Sequence, residues 1–168
     1  EPVIIDELQV IKFENVTFRH KTASFNAVDG ISFEVKTGET IAFVGPSGSG
    51  KSTLVKLLVG LYRPVSGGIY FNGHPSSQIR YNPLRRQIGF VSQEAQLFAG
   101  TIKENLLFVQ SDATDQQIRE ALHKAACDPL LERSSSGIEA FIGEGGMKLS
   151  GGEKQRISIA RAILRHPR

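Results

Sequence analysis

Apolar and polar residues alternate along two stretches near the start of the chain, which is typical of half-buried β-strands. In the first stretch, 10–18, the apolar positions change phase at Asn15. This change predicts a pair of strands or one strand with a bulge. The second stretch, 31–35, predicts a strand that ends in the turn 36–39.

Two continuous apolar runs follow, and a strand that is buried on both faces has this pattern. The run 40–44 predicts a fully buried strand of the parallel-sheet kind, and 88–91 predicts a short buried strand of its own. Between them, 69–71 and the Asn-Gly pair at 72–73 predict a strand with a tight turn.

The apolar spacing becomes that of a helix after the glycine-rich stretch 45–50. There, leucines at i, i+3, i+4 and i+7 predict one apolar helix face, formed by Leu54, Leu57, Leu58 and Leu61.

Beyond residue 94, capping-box pairs predict three helix starts, at Thr101 with Glu104, Thr114 with Gln117, and Ser150 with Glu153. The buried faces of the last two helices are predicted to hold Ile118, Leu122 and Ala125, and Ile157, Ala160 and Leu164.

Composition narrows the function classes only modestly. With 168 residues, 40% hydrophobic and 22% charged, the chain has the composition of one globular domain rather than of a disordered tail. The net charge of +3 is small and its Lys and Arg residues are scattered, so we expect no nucleic-acid partner. No apolar run is long enough to cross a bilayer, and the acidic start does not resemble a signal peptide. The single cysteine, Cys127, excludes an internal disulfide and fits a reducing compartment.

The strongest chemical signal is a phosphate-binding loop. Residues 45–52 match G-x-x-x-x-G-K-[ST], with a predicted buried strand before them and an amphipathic helix after them. Glycines let backbone N–H groups curl around phosphate oxygens, and the start of the helix adds further donors and a positive dipole end. Lys51 is placed to reach the β- and γ-phosphates and the Ser52 hydroxyl to ligate Mg²⁺. Read as structure alone, the motif is a glycine-rich turn with an exposed lysine, but its context favours nucleoside triphosphate binding.

A second motif, Leu149-Ser150-Gly151-Gly152-Glu153, begins the last predicted helix. Alone it is an N-cap with its capping-box partner. Together with the phosphate-binding loop, it resembles the LSGGQ or LSGGE signature of the nucleotide-binding domains of ATP-binding cassette (ABC) transporters. The resemblance covers essentially the whole chain and implies an α/β fold. That fold has a P-loop NTPase core, with a mostly parallel sheet plus an antiparallel β-subdomain, and a helical insertion.

The resemblance also divides the chain and extends the site. It implies a β-subdomain and P-loop core at 1–93, a helical subdomain at 94–147, and a signature segment with its returning helix at 148–168. Gln93 occupies the position of the family's Q-loop glutamine, which contacts Mg²⁺ and the attacking water. The stretch 97–105 and the loop 142–146 look like segments that exporters carry, the loop being one that touches the membrane domains.

ATP and Mg²⁺ are the expected cofactors, and the resemblance assigns residues to each. Catalytic roles fall on Lys51 and Gln93, and metal contact on Ser52 and Gln93. The nucleotide contacts are expected from His20, Gly45, Ser47, Gly48, Ser49, Gly50, Lys51, Ser52, Thr53, Gln93, Ser150, Gly151 and Gly152. The last three form another helix start, and in the family this site grips the γ-phosphate of ATP bound to a second subunit.

The implied partners are a second nucleotide-binding domain, identical or related, and the transmembrane domains of an exporter. Two domains close head-to-tail around two ATP molecules, hydrolysis reopens them, and the motion drives substrate export. The resemblance therefore implies an ATPase at the cytoplasmic face of a membrane. A soluble ABC-type ATPase acting on DNA or ribosomes, or a nucleotide-binding module without hydrolysis, stays open as an alternative.

The chain departs from the family pattern in two respects. His20 stands where the family usually has a tyrosine that stacks on adenine, so a weaker grip on the base is expected. The chain starts at Glu1 and stops at Arg168, before the family's Walker B aspartate, catalytic glutamate and switch histidine. We therefore interpret it as a fragment, expected to leave an apolar sheet edge uncovered and to hydrolyse no ATP at a useful rate by itself. The other histidines, His74, His123 and His166, show no metal-ligand spacing.

Overall fold

The structure is a computed structural model that describes residues 2–167. The first and last residues, on which the interpretation as a fragment rests, lie outside this range. Contacts within the chain divide the described residues into an N-terminal unit, 2–88, and a C-terminal unit, Gly89–Pro167. Each unit has its own hydrophobic core.

The N-terminal unit is built on a four-stranded antiparallel sheet in the order β2-β1-β3-β4. In chain order its elements are β1 (Val10–Phe18), β2 (Val28–Lys36), α1 (Lys51–Leu58), β3 (Ser66–Phe71), β4 (His74–Pro75), a 3₁₀ turn at Ser76–Gln78, and α2 (Tyr81–Arg86). The predicted antiparallel β-subdomain is thus present, and both predicted strands, 31–35 and 69–71, lie inside longer observed ones.

A bulge in β1 explains the change of phase in the sequence. The register against β2 shifts between Phe13 and Val16, and Asn15 between them has a positive φ of 46°. Because the bulge inserts a residue, Phe13 and Val16 both face the core although three positions separate them. The predicted turn at 72–73 closes the β3–β4 hairpin, with both residues at positive φ.

One face of the sheet and the two helices enclose the N-terminal core, which includes Phe13, Phe71 and Leu84. Helix α1 contributes Leu54 and Leu57, as its spacing predicts. The prediction for Leu61 is wrong: α1 ends at Leu58, and Leu61 lies beyond it with 54% of its surface exposed. The turn at Gly60, with a φ of 70°, has already taken the chain off the helical path.

Neither the strand predicted at 40–44 for a parallel sheet nor the short buried strand predicted at 88–91 forms within the described residues. A β-strand needs a neighbour for its backbone N–H and C=O groups, and no described residue pairs with either segment. Several of their side chains are accordingly exposed, Val44 by 94% and Phe90 by 41%, while Phe43 and Ile88 pack against the N-terminal core. An apolar run indicates that a segment can be buried, but it does not supply the partner strand.

Helices dominate the C-terminal unit. In chain order its elements are β5 (Gly100–Thr101), α3 (Ile102–Leu107), α4 (Asp115–Lys124), α5 (Asp128–Arg133), a 3₁₀ turn at Gly137–Glu139, β6 (Phe141–Ile142) and α6 (Gly151–Leu164). All three predicted capping boxes are present, at Thr101, Thr114 and Ser150, each with reciprocal hydrogen bonds between the cap and the third helical residue.

Helix α6 is packed along the core of this unit. Its residues Ile157, Ala160 and Leu164 are buried, as predicted, against α3 and α4. Ile118 and Leu122 of α4 are fully buried on the other side of the same core, and Ala125 just after α4 is buried with them. In this way the core fixes the axis of α6, and with it the direction in which its exposed N-terminus points.

Residues 89–93 and 148–167 belong to the same C-terminal unit as residues 94–147. The expected division at 93/94 and 147/148 stays a prediction. Across residues 2–167, no helix has the length and apolar character that crossing a membrane requires.

Candidate functional site

Lys51 stands at the start of α1, where the phosphate-binding loop ends. Its ammonium group donates to the carbonyl oxygens of Gly45 at 2.8 Å and Pro46 at 2.6 Å, and to the Ser49 hydroxyl at 3.3 Å. These contacts hold the cation inside the curve of the loop that precedes the helix. A lysine held over the loop in this way supplies the positive charge that a phosphate group requires.

Gly50 allows the loop to enter the helix. It is the N-cap of α1 with a φ of 88°, a left-handed conformation that favours glycine. A Cβ at this position would lie 2.0 Å from the carbonyl oxygen of Ala27, just before β2. Glycine is therefore required twice here, for the backbone angle and for the close approach of another backbone segment.

The first turn of α1 offers unused donors. Among residues 2–167, none accepts a hydrogen bond from the backbone N–H groups of Lys51, Ser52 and Thr53. These amides and the positive end of the helix dipole form an anion site, which fits a phosphate chain. The exposed Ser52 hydroxyl fits the oxygen ligands that Mg²⁺ prefers. The remaining loop positions of the predicted site, Gly45, Ser47, Gly48 and Ser49, are also exposed.

His20 lies in a small aromatic cluster of the N-terminal unit. Phe18 and Tyr62 stack with their ring centroids 4.9 Å apart, and His20 packs edge-on against both rings, at 4.9 and 5.5 Å. The imidazole is half-buried. Tyr62 therefore stands next to the residue that the sequence pattern placed at the adenine position, a neighbour that no local sequence signal indicated.

The second helix start of the site is that of α6, in the C-terminal unit. Ser150 is its N-cap, and no described residue accepts a hydrogen bond from the exposed amides of Gly151 and Gly152. Like the start of α1, this end of α6 can receive an anion.

Glu153 completes the N-terminus of α6, where the sequence predicts that it forms a capping box with Ser150. Its Oε2 accepts from the backbone N–H of Ser150 at 2.7 Å and from the Ser150 hydroxyl at 2.9 Å. Its Oε1 is paired with Arg133 of α5 at 3.0 Å, and only 12% of the side chain is exposed. The hydrogen bond from the Ser150 backbone is the main reason why the pKa of the Glu153 carboxyl lies below its usual value.

Gln93 belongs to the C-terminal unit and is exposed at a bend of the chain. The neighbouring Ser92 hydroxyl donates to the Glu94 carbonyl at 2.7 Å, which shapes this bend. The structure thus brings the loop residues together in the N-terminal unit, which also contains His20. It brings Ser150, Gly151 and Gly152 together at the start of α6.

Apolar side chains line a cavity of about 370 Å³ near the signature segment. Its wall includes Leu97, Phe98, Ile142, Gly143, Met147 and Leu149, and Lys148 and Lys154 add positive charge. Phe98 and Phe141 are 40% and 48% exposed. Both segments that resemble exporter sequences, 97–105 and 142–146, contribute residues to this cavity.

Comparisons with known proteins agree with these motifs. The model of the ABC transporter family matches residues 28–168. The chain is 41% identical over 167 residues to a probable multidrug resistance ABC transporter ATP-binding/permease protein, YheI of Bacillus subtilis, covering 99% of this chain and 28% of that protein. It is 43% identical over 168 residues to the mitochondrial iron-sulfur clusters transporter ATM1 of Debaryomyces hansenii, covering 98% and 24%.

Among solved structures, the fold is similar to that of a bacterial Atm1-family ABC exporter with ATP bound. The TM-score is 0.89 at 36% sequence identity, and the match covers 99% of this chain and 29% of the other. The chain spans about a quarter of the length of these relatives. The fold class is therefore the α/β fold of an ABC nucleotide-binding domain, and domains of this kind are ATPases that bind ATP. By its phosphate-binding loop, its signature segment and these matches, the chain belongs to the ABC transporter family.

Proposed function

We propose that this chain is the ATP-driven domain of an exporter, in which two such domains close head-to-tail around ATP. One observation carries the proposal. The same chain presents two exposed helix starts with unused backbone donors, at Lys51 in α1 and at Ser150 in α6. A triphosphate has several negative charges, so two anion sites on different domains can share it and ATP then stabilises their association.

In this proposal the loop 45–52 binds the phosphate chain of ATP, and Lys51 supplies its charge to the β- and γ-phosphates. Ser52 and Gln93 hold Mg²⁺, which neutralises phosphate charge when it is bound. Gln93 orients the attacking water, and Thr53 and the loop glycines Gly45, Gly48 and Gly50 line the phosphates with Ser47 and Ser49. His20 contacts the adenine. Support comes from the cradle around Lys51 and from the exposed position of Gln93.

The partner domain receives the γ-phosphate at Ser150, Gly151 and Gly152. Two amides at this helix start have no acceptor among the described residues, and the hydroxyl of Ser150 lies beside them, bonded to Glu153. Preorganised donors of this kind act strongly on developing negative charge. Closure would therefore require ATP, and loss of the γ-phosphate would weaken it.

The transmembrane domains would dock at the cavity next to the signature segment. Its apolar wall, with the exposed Phe98 on it, suits the burial of an apolar segment from a partner. This location would place the protein at the cytoplasmic face of a membrane. Relatives that are named as multidrug and iron-sulfur cluster transporters support transport as the activity.

Cross-linking tests the head-to-tail arrangement directly. Cysteines are introduced as Ser49→Cys and Gly151→Cys in the complete transporter; the native Cys127 is fully buried and should not interfere. We expect cross-links between the two nucleotide-binding domains with ATP and few without it. A Lys51→Ala background should abolish the ATP dependence. Cross-linking that ignores ATP, or that never joins the two domains, would contradict the proposal.

A further inference from the structure

The hydroxyl of Ser150 is already committed within its own domain. It donates to Glu153 Oε2 at 2.9 Å and accepts from the Glu153 backbone N–H at 3.3 Å. The same carboxylate oxygen accepts from the Ser150 backbone N–H at 2.7 Å. A hydroxyl has one hydrogen to donate, so Ser150 cannot donate to a phosphate while this bond is in place.

Charge opposes a phosphate at the same place. The free amides of Gly151 and Gly152 attract an anion, whereas the Glu153 carboxylate beside them carries a negative charge at neutral pH. Arg133 at 3.0 Å offsets this charge only in part, since half of its side chain is exposed to solvent. The anion site of α6 therefore contains its own competitor.

We infer that Glu153 is a positioning residue that weakens the ATP-bound closed state by holding the Ser150 hydroxyl and by repelling the γ-phosphate. The inference rests on the proposed function, since it concerns the domain that receives the phosphate. Closure requires the Ser150 hydroxyl to turn from the carboxylate to the phosphate. When the γ-phosphate is lost, the hydroxyl returns to Glu153, which favours reopening.

The capping box of α4 has an uncharged glutamine at the position that Glu153 occupies in α6. At α4, Gln117 forms the same capping box with Thr114: its Oε1 accepts from the Thr114 backbone at 2.8 Å, and its own N–H donates to the Thr114 hydroxyl at 3.3 Å. A glutamine at the third helical position therefore keeps the cap in this fold. Glu153→Gln should accordingly preserve the start of α6 while it removes the negative charge.

The test compares Glu153→Gln with Glu104→Gln in the complete transporter. Glu104 forms a capping box at α3, accepting from the Thr101 backbone N–H at 2.7 Å, so its variant changes a comparable cap elsewhere. We expect Glu153→Gln to lower the ATP concentration for half-maximal closure and the KM for ATP by about three- to thirtyfold, with no rise in kcat. Glu104→Gln should leave both concentrations unchanged. Equal values for Glu153→Gln and the unmodified protein would overturn the inference.

A second variant moves the charge balance in the opposite direction. Arg133→Gln removes the cation that is paired with Glu153, and we expect the half-maximal ATP concentration to rise about threefold. If the cap had only a structural role, Glu153→Gln and Arg133→Gln would not shift the half-maximal ATP concentration in opposite directions. A lower half-maximal ATP concentration in Arg133→Gln would overturn the inference.

Ser150→Ala separates the inference from the proposed function. Compared with Thr101→Ala, which removes an equivalent cap from α3, it should raise the half-maximal ATP concentration. If Ser150→Ala raises the half-maximal ATP concentration but Glu153→Gln leaves it unchanged, the inference is wrong and the proposed function stands. If neither Ser150→Ala nor Lys51→Ala alters closure, the proposed function is wrong and the inference falls with it.

Discussion

Arg161 of α6 donates to the side-chain oxygen of Asn105 at 2.8 Å and to the Asn105 backbone carbonyl at 2.7 Å. Asn105 is the one fully buried polar residue among those described, and its amide group donates to the carbonyls of Phe98 and Thr101. Arg161 also reaches the carbonyl of Gln96 at 2.7 Å. The helix that carries the signature segment is thus tied to the segment that follows Gln93.

The buried network predicts that Asn105→Ala destabilises the C-terminal unit by about 2–4 kcal/mol. The reason is that the change leaves the carbonyl of Phe98 without its side-chain donor and removes one hydrogen bond of Arg161, whose pKa burial already lowers. The bonds of Arg161 to the backbone carbonyls at positions 105 and 96 remain. Chemical denaturation followed by circular dichroism measures the loss. Gln116→Ala, at an exposed position of α4, is the control and should stay within about 0.5 kcal/mol of the unmodified protein. Similar values for both variants would contradict the prediction.

Gly50 and Gly38 form a matched pair for the phosphate-binding loop. Their φ angles are 88° and 87°, but a Cβ on Gly38 meets nothing within 4 Å, whereas one on Gly50 would lie 2.0 Å from the Ala27 carbonyl oxygen. Gly38→Ala should therefore cost only the backbone strain, about 1–2 kcal/mol. Gly50→Ala should cost more and also lower ATP affinity at least about tenfold. Denaturation and ATP titration of the two variants measure both effects, and equal ATP affinities would argue against the role of Gly50.

His20 is predicted to contact adenine with less stacking area than a tyrosine. Since stacking of a base on an aromatic ring contributes about 1–3 kcal/mol, His20→Tyr should raise ATP affinity several-fold and His20→Ala should lower it. His74→Tyr, at an exposed histidine of β4, serves as the control. Titration with a fluorescent ATP analogue that keeps the adenine base measures the order of affinities. A His20→Ala variant that binds ATP as tightly as the unmodified protein would exclude His20 from the base site.

The buried Cys127 predicts how the stability of the protein changes at alkaline pH. Burial raises the pKa of its thiol from about 9 to about 11, so the folded protein favours the neutral thiol. This contribution is fully present below the pKa of the unfolded chain and is lost as the pH rises from about 9 to 11, because the unfolded thiol ionises first. We expect the free energy of unfolding to fall by about 1–2 kcal/mol more over this range in the unmodified protein than in Cys127→Ala. If the free energy of unfolding fell equally in both proteins, the Cys127 thiol would not contribute to the pH dependence of stability.

The parts of the fold that local chemistry determines could be predicted from the sequence. A capping box needs only residues three positions apart, and the pairs at Thr101, Thr114 and Ser150 all formed. The change of apolar phase at Asn15 likewise indicated either a strand pair or a bulged strand, and β1 has the bulge. The P-loop and the signature segment are short contiguous motifs, so the family could be recognised from them.

Features that depend on distant partners could not be predicted. The run 40–44 has the composition of a buried strand, but composition does not indicate which segment will pair with it. Asn105 and Arg161 are 56 positions apart, and each alone reads as an ordinary polar residue of a helix. The capping pattern at Glu153 predicts its bond to the Ser150 backbone, but it does not predict that the same carboxylate accepts from the Ser150 hydroxyl.

ATP binding by Lys51→Ala tests the central claim most directly. The ammonium group of Lys51 lies in the cradle of Gly45, Pro46 and Ser49, so its loss removes the charge that faces the phosphates. Isothermal titration with ATP should show an affinity reduced at least about tenfold, equivalent to about 1.4 kcal/mol, while Lys36→Ala at the end of β2 binds normally. Unchanged ATP affinity in a folded Lys51→Ala variant would contradict the account.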